Sequence, residues 1–306
     1  TPGFCYRFPD CYFEVTLELN RVLPLIAVAL MTLPRPGLAD TVPVVVEKDI
    51  VYGMGGDVDL QLDMARPKEG KGPFPCIVCI HGGGWRYGHR RDLTMAITRL
   101  AENGFVAVTV SYRLVPKATF PGQIEDCKAA VRWLRAHAKE YQIDPDHIGA
   151  VGLSAGGHLA CLLGATDKND GLEGKGGNPE QSSRVQAVVS FFGPTDLAAR
   201  TWAENIEKPL IEPWLGGPFT DKADVYKKAS PINYVTKDDP PFLFFHGDKD
   251  RIVDVSQSKL MDEKLKATGC DSRVVILEGA AHGWTGKQLD DTINQTIEFF
   301  REKLKK

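Results

Sequence analysis

From residue 42 onward two kinds of apolar pattern alternate along the chain. Val58, Leu60, Leu62 and Met64 stand at every second position with polar residues between them. That is the period of a half-buried antiparallel strand. A second strand is predicted over 44–51, joined to the first around Gly53-Met54-Gly55-Gly56, so the fold begins with a hairpin. Residues 74–80 are apolar throughout, as a strand buried on both faces requires. Further strands are predicted at 105–110, 148–153, 184–191, 242–246 and 273–277, and helices over 91–103, 122–140, 155–165, 254–268 and 287–304. Helix 122–140 carries Ile124, Cys127, Val131, Leu134 and Ala138 at helical spacing, and the last helix carries Leu289, Ile293, Ile297, Phe300 and Leu304 on one face. A hairpin followed by repeated strand–helix units predicts an α/β architecture. Its sheet is mostly parallel and eight-stranded, with an antiparallel N-terminal pair and helices on both faces.

Three stretches break this rhythm. Residues 167–183 are rich in glycine, asparagine and charge, and read as a solvated surface loop. Residues 196–235 hold Trp202, Trp214, several prolines and Gly216-Gly217, and separate two strands by far more than an ordinary connection. They are expected to form a small cap over the site; the alternative is a structural excursion that never meets substrate. Near the start, Arg21 is followed by ten apolar or proline residues, 22–31, and then by Pro34, Pro36 and Gly37-Leu38-Ala39. This matches a secretory signal with cleavage after Ala39, and predicts a secreted or periplasmic protein. The alternative there is a docked N-terminal segment. The apolar run is too short and proline-rich for a stable membrane span. The expected division is therefore an upstream segment, 1–39, and one domain, 40–306.

Composition adds little to that picture except by exclusion. The chain of 306 residues is 43% hydrophobic and 25% charged with a net charge of -3, so it can bury a large core. Its lysines and arginines are dispersed, which argues against a nucleic-acid groove or a polybasic membrane patch. The expected partners are small molecules or polymer ends. Five of the seven cysteines follow Ala39: Cys76, Cys79, Cys127, Cys161 and Cys270. Cys76 and Cys79 form a C-x-x-C, but within a strand residues three apart point to opposite faces and cannot easily chelate or bridge. Cys127 and Cys161 fall on apolar helix faces, so buried inert thiols are expected, and no metal cluster stands out.

The chemistry is carried by Gly152-Leu153-Ser154-Ala155-Gly156, where a predicted strand turns directly into a predicted helix. Such a turn holds a serine hydroxyl out at the end of a sheet. Serine is a poor nucleophile until a base accepts its proton. His282, in Ala280-Ala281-His282-Gly283-Trp284, lies between the last strand and the last helix and is the expected base. Among its competitors, His158 lies four residues beyond the serine and should pack inside. His246 ends a strand and should bond to the backbone, while His89, His137 and His147 fall on polar stretches. The imidazole needs a carboxylate on its far nitrogen. His246-Gly247-Asp248-Lys249-Asp250 offers two; Asp250 is the better candidate, with Asp248 capping the turn. His81-Gly82-Gly83-Gly84-Trp85 follows the apolar strand, and its glycines let backbone N–H groups approach a developing alkoxide. Gly83 and Gly84, with the N–H of Ala155, are the expected oxyanion donors. Trp85, Trp202, Trp214 and Trp284 are candidates for an aromatic substrate pocket.

With Ser111-Tyr112-Arg113-Leu114, Phe120-Pro121 and the run from Asp126 to Leu134, these segments resemble the HGGG-type esterase/lipase group of α/β-hydrolases. Within that group the chain is most similar to the branch of bifunctional acetylxylan esterase/feruloyl esterases, over roughly residues 42–304. The resemblance implies an α/β-hydrolase fold and cofactor-free hydrolysis of short-chain carboxylic esters through an acyl-serine intermediate. It also implies a Ser154–Asp250–His282 triad. Acetyl or feruloyl esters linked to plant polysaccharide are one expected substrate class. The His-Gly-Gly-Gly-Trp run also resembles kynurenine formamidases, which keeps an arylformamidase open. A serine peptidase is disfavoured because no large second domain fits the remaining length. A non-catalytic binding protein of the same fold is disfavoured because all three triad candidates are present.

Overall fold

The computed structural model describes residues 42–199 and 202–304; the expected leader, 1–39, lies outside them. Eight strands form one sheet: β1 (Val44–Gly55), β2 (Val58–Pro67), β3 (Phe74–Ile80), β4 (Val106–Val110), β5 (Ile143–Leu153), β6 (Ala187–Phe191), β7 (Phe242–Gly247) and β8 (Ser272–Leu277). Their order is β1-β2-β4-β3-β5-β6-β7-β8. β2 runs antiparallel to both β1 and β4, and every later pairing is parallel. The C-terminal ends of β3 to β8 therefore share one edge. The chain winds from β3 outward to β4 and then back across to β5, so the direction of winding reverses beside β3. Open α/β sheets hold their ligands in the crevice at such a reversal, beyond the strand ends. Ile80 pairs with Gly152 there, which levels the end of β3 with the end of β5.

The helices are α1 (Thr94–Glu102), α2 (Gly122–Ala136), α3 (Ala138–Tyr141), α4 (Ala155–Ala165), α5 (Glu204–Ile206), α6 (Glu212–Leu215), α7 (Phe219–Lys228), α8 (Ser256–Ala267) and α9 (Gly286–Leu304). Alternation along the strands sends side chains into two separate cores. On one face Val78, Val108 and Ala150 meet Val131 of α2, Leu159 of α4 and Met261 of α8. On the other, Ile77, Ala107 and Val189 meet Ile97 of α1 and Ile297 and Phe300 of α9. Cys76 belongs to the first core and Cys79 to the second, so the C-x-x-C is split by the sheet. All five described cysteines are free and buried. Burial pushes the Cys161 thiol up to about 12 and the Cys76 and Cys79 thiols higher still. Among the described residues no helix is long and apolar enough to cross a membrane.

Several boundaries differ from the predicted ones for local reasons. The helix expected over 122–140 breaks at His137, whose ring folds back to stack on Trp133 at 4.2 Å while its Nδ1 lies 2.9 Å from the Trp133 carbonyl. β5 starts at Ile143, five residues early, because Ile143 pairs with Phe74 at the far end of β3. β6 is shorter than expected, starting at Ala187. The helix expected from 91 opens as a 3₁₀ turn, Arg90–Leu93, whose N-terminus is capped by the His89 ring accepting from Arg91 N–H at 3.1 Å.

The segment 167–183, expected to be simply solvated, is anchored to the body. Leu172 is fully buried. The buried ammonium of Lys128 donates to Glu173 at 2.7 Å and to the Ser183 hydroxyl at 3.1 Å, and Arg132 reaches the other Glu173 oxygen at 2.7 Å. Two cations on one carboxylate compensate the desolvation each would otherwise suffer. Burial still holds the Lys128 ammonium below its usual value, against the pull of Glu173.

Within the described part of 196–235 the chain is largely helical, comprising α5, a π-helical turn Glu207–Ile211, α6 and α7. Its anchor is Trp214, fully buried, whose indole N–H donates to Gln123 Oε1 at 2.9 Å. The Gln123 amide nitrogen donates in turn to the carbonyls of Arg113 and Ala118. One buried glutamine thus joins the start of α2, the loop after β4 and the cap segment.

Candidate active site

Ser154 stands between β5 and α4 with φ 54° and ψ -118°. A non-glycine residue there is strained by about 1–3 kcal/mol and survives only when its surroundings hold it. They do so by backbone contact: Ser154 N–H donates to the Phe191 carbonyl at 2.8 Å, and its own carbonyl accepts from His158 N–H at 3.0 Å. The flanking glycines are steric necessities. A Cβ on Gly152 would lie 2.1 Å from the Gly156 carbonyl oxygen, and one on Gly156 would lie 2.1 Å from that of Ile80. The turn into α4 is therefore wedged against the end of β3, and side-chain-free residues are what let it approach.

His282 reaches this serine from the far end of the sequence. Its Nε2 lies 2.9 Å from Ser154 Oγ, and its Nδ1 lies 2.7 Å from Asp250 Oδ2. A carboxylate can only accept, so Nδ1 carries the proton and Nε2 is left free to accept from the serine hydroxyl. The Asp250 side chain is fully buried, while that of His282 is 16% exposed. Burial works against the Asp250 charge. Bonds from His246 and His282, and from the N–H groups of Ile252 and Val253 to Oδ1, outweigh it and hold the carboxyl well below the usual carboxylate range. Asp248 is elsewhere employed: its Oδ1 accepts from Gly279 N–H at 2.7 Å, tying the turn after β7 to the loop after β8.

His246 does bond the backbone, as expected, with Nε2 2.9 Å from the Val253 carbonyl. It also lies 3.3 Å from Asp250 Oδ2. Its Nδ1 meets the Ser258 hydroxyl at 2.8 Å, so this fully buried ring is a second support for the acidic residue. Nothing local in the sequence marks that contact, apart from the four-residue spacing of His246 and Asp250.

Gly83 and Gly84 follow β3 with φ of 112° and 58°, and Ala155 opens α4, where the first helical N–H groups have no partner inside the helix. The loop runs against the turn that carries Ser154: a Cβ on Gly82 would meet the Leu153 carbonyl at 2.8 Å and Ser154 Cβ at 3.4 Å. From the cap, the δ-carbons of Leu210 lie 3.0 and 3.1 Å from where a Cβ on Gly84 would stand. His81 is pinned beneath this loop, stacked on Tyr112 at 4.4 Å, while the Tyr112 hydroxyl donates to the His81 carbonyl at 2.9 Å. Arg113, next along, forks onto both oxygens of Asp126 in α2.

The four tryptophans fall into different settings. Trp85 and Trp214 are buried and lie face to face, centroids 3.7 Å apart. Trp284 joins a different cluster with Phe191 and Phe192. Trp202 is half-buried against the core. His158 is fully buried beside the Trp85–Trp214 pair, accepting from the Trp85 indole N–H at 3.3 Å and meeting the Ala229 carbonyl at 2.7 Å. Desolvation pushes its pKa down to about 4. Among the described residues no group of three His, Cys, Asp or Glu side chains could hold a metal ion.

With this geometry in place, comparison with known proteins is decisive. The BD-FAE family model matches residues 62–265, well over half of the chain. The chain belongs to the BD-FAE family. Esterase LipQ of Mycobacterium tuberculosis is 34% identical over 227 residues, covering 72% of this chain and 53% of LipQ. Esterase LipC of the same organism is 34% identical over 241 residues, covering 75% and 58%. This BD-FAE chain thus spans just over half the length of these curated relatives. A truncated carbohydrate esterase from gut microbiota superposes with a TM-score of 0.77 at 30% identity, covering 88% of this chain and 99% of that one. A propionate-bound esterase 2 of Thermogutta terrifontis gives 0.72 at 30% identity, covering 83% and 93%. The BD-FAE chain has the α/β-hydrolase fold of these esterases.

Proposed function

We propose that this protein is a serine carboxylesterase that hydrolyses short-chain acyl esters through an acyl-serine intermediate. The observation that carries the reading is the continuous chain Ser154 Oγ–His282 Nε2 at 2.9 Å and His282 Nδ1–Asp250 Oδ2 at 2.7 Å, set against the glycine loop after β3. As Ser154 Oγ bonds to the ester carbonyl carbon, its proton passes to His282 Nε2. Asp250 holds the imidazolium that results. The carbonyl oxygen takes up the electron pair, and the N–H groups of Gly83, Gly84 and Ala155 stabilise it. Collapse expels the alcohol, protonated by His282, and leaves the acyl-serine. Water then attacks that ester by the same route, releasing the acid and restoring the serine.

Leu210 supports a short acyl group, because it closes the space beside Gly84 from the cap side. The relatives' names support the ester class, and Thermogutta terrifontis esterase 2 is known with bound propionate and bound butyrate. A carbohydrate esterase among the neighbours, and a bifunctional GH43-CE protein of Bacteroides eggerthii, support esters carried on polysaccharide, acetyl or feruloyl. The leader-like pattern ending at Ala39 supports secretion or a periplasmic location, where such polymers are met. The test is a panel of p-nitrophenyl esters of rising acyl length, acetylated xylan, methyl ferulate and N-formylkynurenine. Preference for acetyl to butyryl esters, abolished in Ser154→Ala, is expected. Turnover of N-formylkynurenine alone would make the protein an arylformamidase, and turnover of nothing, with Ser154 unlabelled by an organophosphate, would make it a binding protein.

A further inference from the structure

Phe192 is the residue at this edge that the chemistry above leaves without a task. It is bulky yet has φ 42°, in the left-handed region. For such a residue that conformation is an outlier, maintained only by its surroundings. Three of the non-glycine residues with positive φ are Trp85, Ser154 and Phe192, and all three lie beside the candidate site. The backbone at 191–192 is gripped from both neighbouring strands. The Phe191 carbonyl accepts from Ser154 N–H at 2.8 Å, and Phe192 N–H donates to the Phe245 carbonyl at 2.7 Å. The ring that results packs against the imidazole of His282 in a tilted contact, centroids 4.5 Å apart and planes inclined by 56°. Its next neighbour is Trp284, edge-on at 5.3 Å, whose indole N–H is tied to Thr292 of α9 at 3.0 Å.

His282 needs such a contact. Its bonds to Asp250 and Ser154 lie in the plane of the imidazole and leave the ring free to rock about the line joining them. The loop that carries it is tied through Gly279 N–H to Asp248, Ala280 N–H to the Leu277 carbonyl, Gly283 N–H to the Ala281 carbonyl and Lys249 N–H to the Ala280 carbonyl. These bonds place the loop but do not fix the tilt of the imidazole. An aromatic ring packed against the imidazole at 4.5 Å resists the motion that the in-plane bonds permit.

We propose that Phe192 is a positioning residue for the esterase reaction, its ring holding His282 in the orientation that serves Ser154 and Asp250 together. The dipeptide Phe191–Phe192 then sets the nucleophile through a backbone bond and the base through a side chain. This rests on the triad reading above. The test compares wild type with Phe192→Ala, Phe192→Gly and Phe192→Tyr, measuring kcat, KM and Tm on p-nitrophenyl acetate. A misplacement of about 1 Å costs on the order of 10²-fold in rate, so the Ala and Gly variants should lose kcat by about that factor while KM stays within roughly twofold. Phe192→Tyr keeps the ring and should retain most of the wild-type kcat. Glycine adopts positive φ freely, so Phe192→Gly should be at least as stable as Phe192→Ala and still be slow. Wild-type kcat in a folded Ala or Gly variant, a loss confined to KM, or a Tyr variant as slow as Ala overturns the proposal. Absence of esterase activity in the wild type itself would instead overturn the triad reading.

Discussion

His158 lies one helical turn beyond Ser154 and His282 lies 128 positions away, yet only the distant one reaches the serine hydroxyl. The two surroundings explain their different tasks. His158 is enclosed by Trp85, Trp214 and the cap, with both ring nitrogens committed to structural partners. Desolvation keeps it neutral down to about pH 4. His282 keeps one nitrogen facing the Ser154 hydroxyl, retains some exposure, and has a buried anion behind it. A base must be able to gain a proton and have that charge compensated. Proximity along the chain supplies neither condition.

The largest effects should come from breaking the His282 side. Ser154→Ala or His282→Ala should lower kcat by about 10⁵–10⁶-fold, with Tm little changed, as p-nitrophenyl acetate turnover and a thermal melt would report. Asp250→Asn should cost about 10⁴-fold in kcat, since the amide favours the wrong imidazole tautomer. A loss of less than tenfold would mean that Asp250 is not the acidic partner. Breaking the His158 side should act on stability instead. His158→Ala removes the acceptor of the Trp85 indole and opens a cavity, so denaturant unfolding should show a loss of about 2–4 kcal/mol. The folded fraction should stay far more active than His282→Ala. Equal damage to kcat from both histidines would erase the distinction drawn between them.

An effect of similar size, spread over a pH range, is a pH dependence carried by His158. Its folded pKa, about 4, lies below the ordinary value of 6.5. Between these values the unfolded chain binds the extra proton, so this contribution is complete above about pH 6.5 and is lost as pH falls toward 4. Integrated over the window it amounts to about 3 kcal/mol. Unfolding free energies measured from pH 7 to pH 4 should fall by roughly that amount more in the wild type than in His158→Ala.

Much of this was legible along the chain. The period-2 pattern of Val58 to Met64, the uninterrupted apolar run before His81 and the stripes of the long helices specify the sheet and its two covered faces. The order Ser154, Asp250, His282 is readable because each follows a predicted strand, and parallel strands bring their ends to one edge. The anchoring of 167–183 was not legible. Lys128 and Arg132 read as ordinary polar positions until Glu173, more than forty residues on, is brought between them. Phe192 was hidden for a similar reason. It reads as one more apolar residue at a strand end, and neither its left-handed backbone nor its contact with His282 leaves a mark on the local pattern.

By itself the sequence determined the succession of elements, the serine at a strand-to-helix turn and the small set of groups able to serve it. Periodicity and turn chemistry act between near neighbours, and a single chain displays them fully. The tertiary structure decided which histidine stays neutral inside, which aspartate faces the imidazole, and which aromatic ring packs against it. Those choices depend on desolvation and on contacts between segments remote along the chain, and such neighbours exist only once the strands have come together.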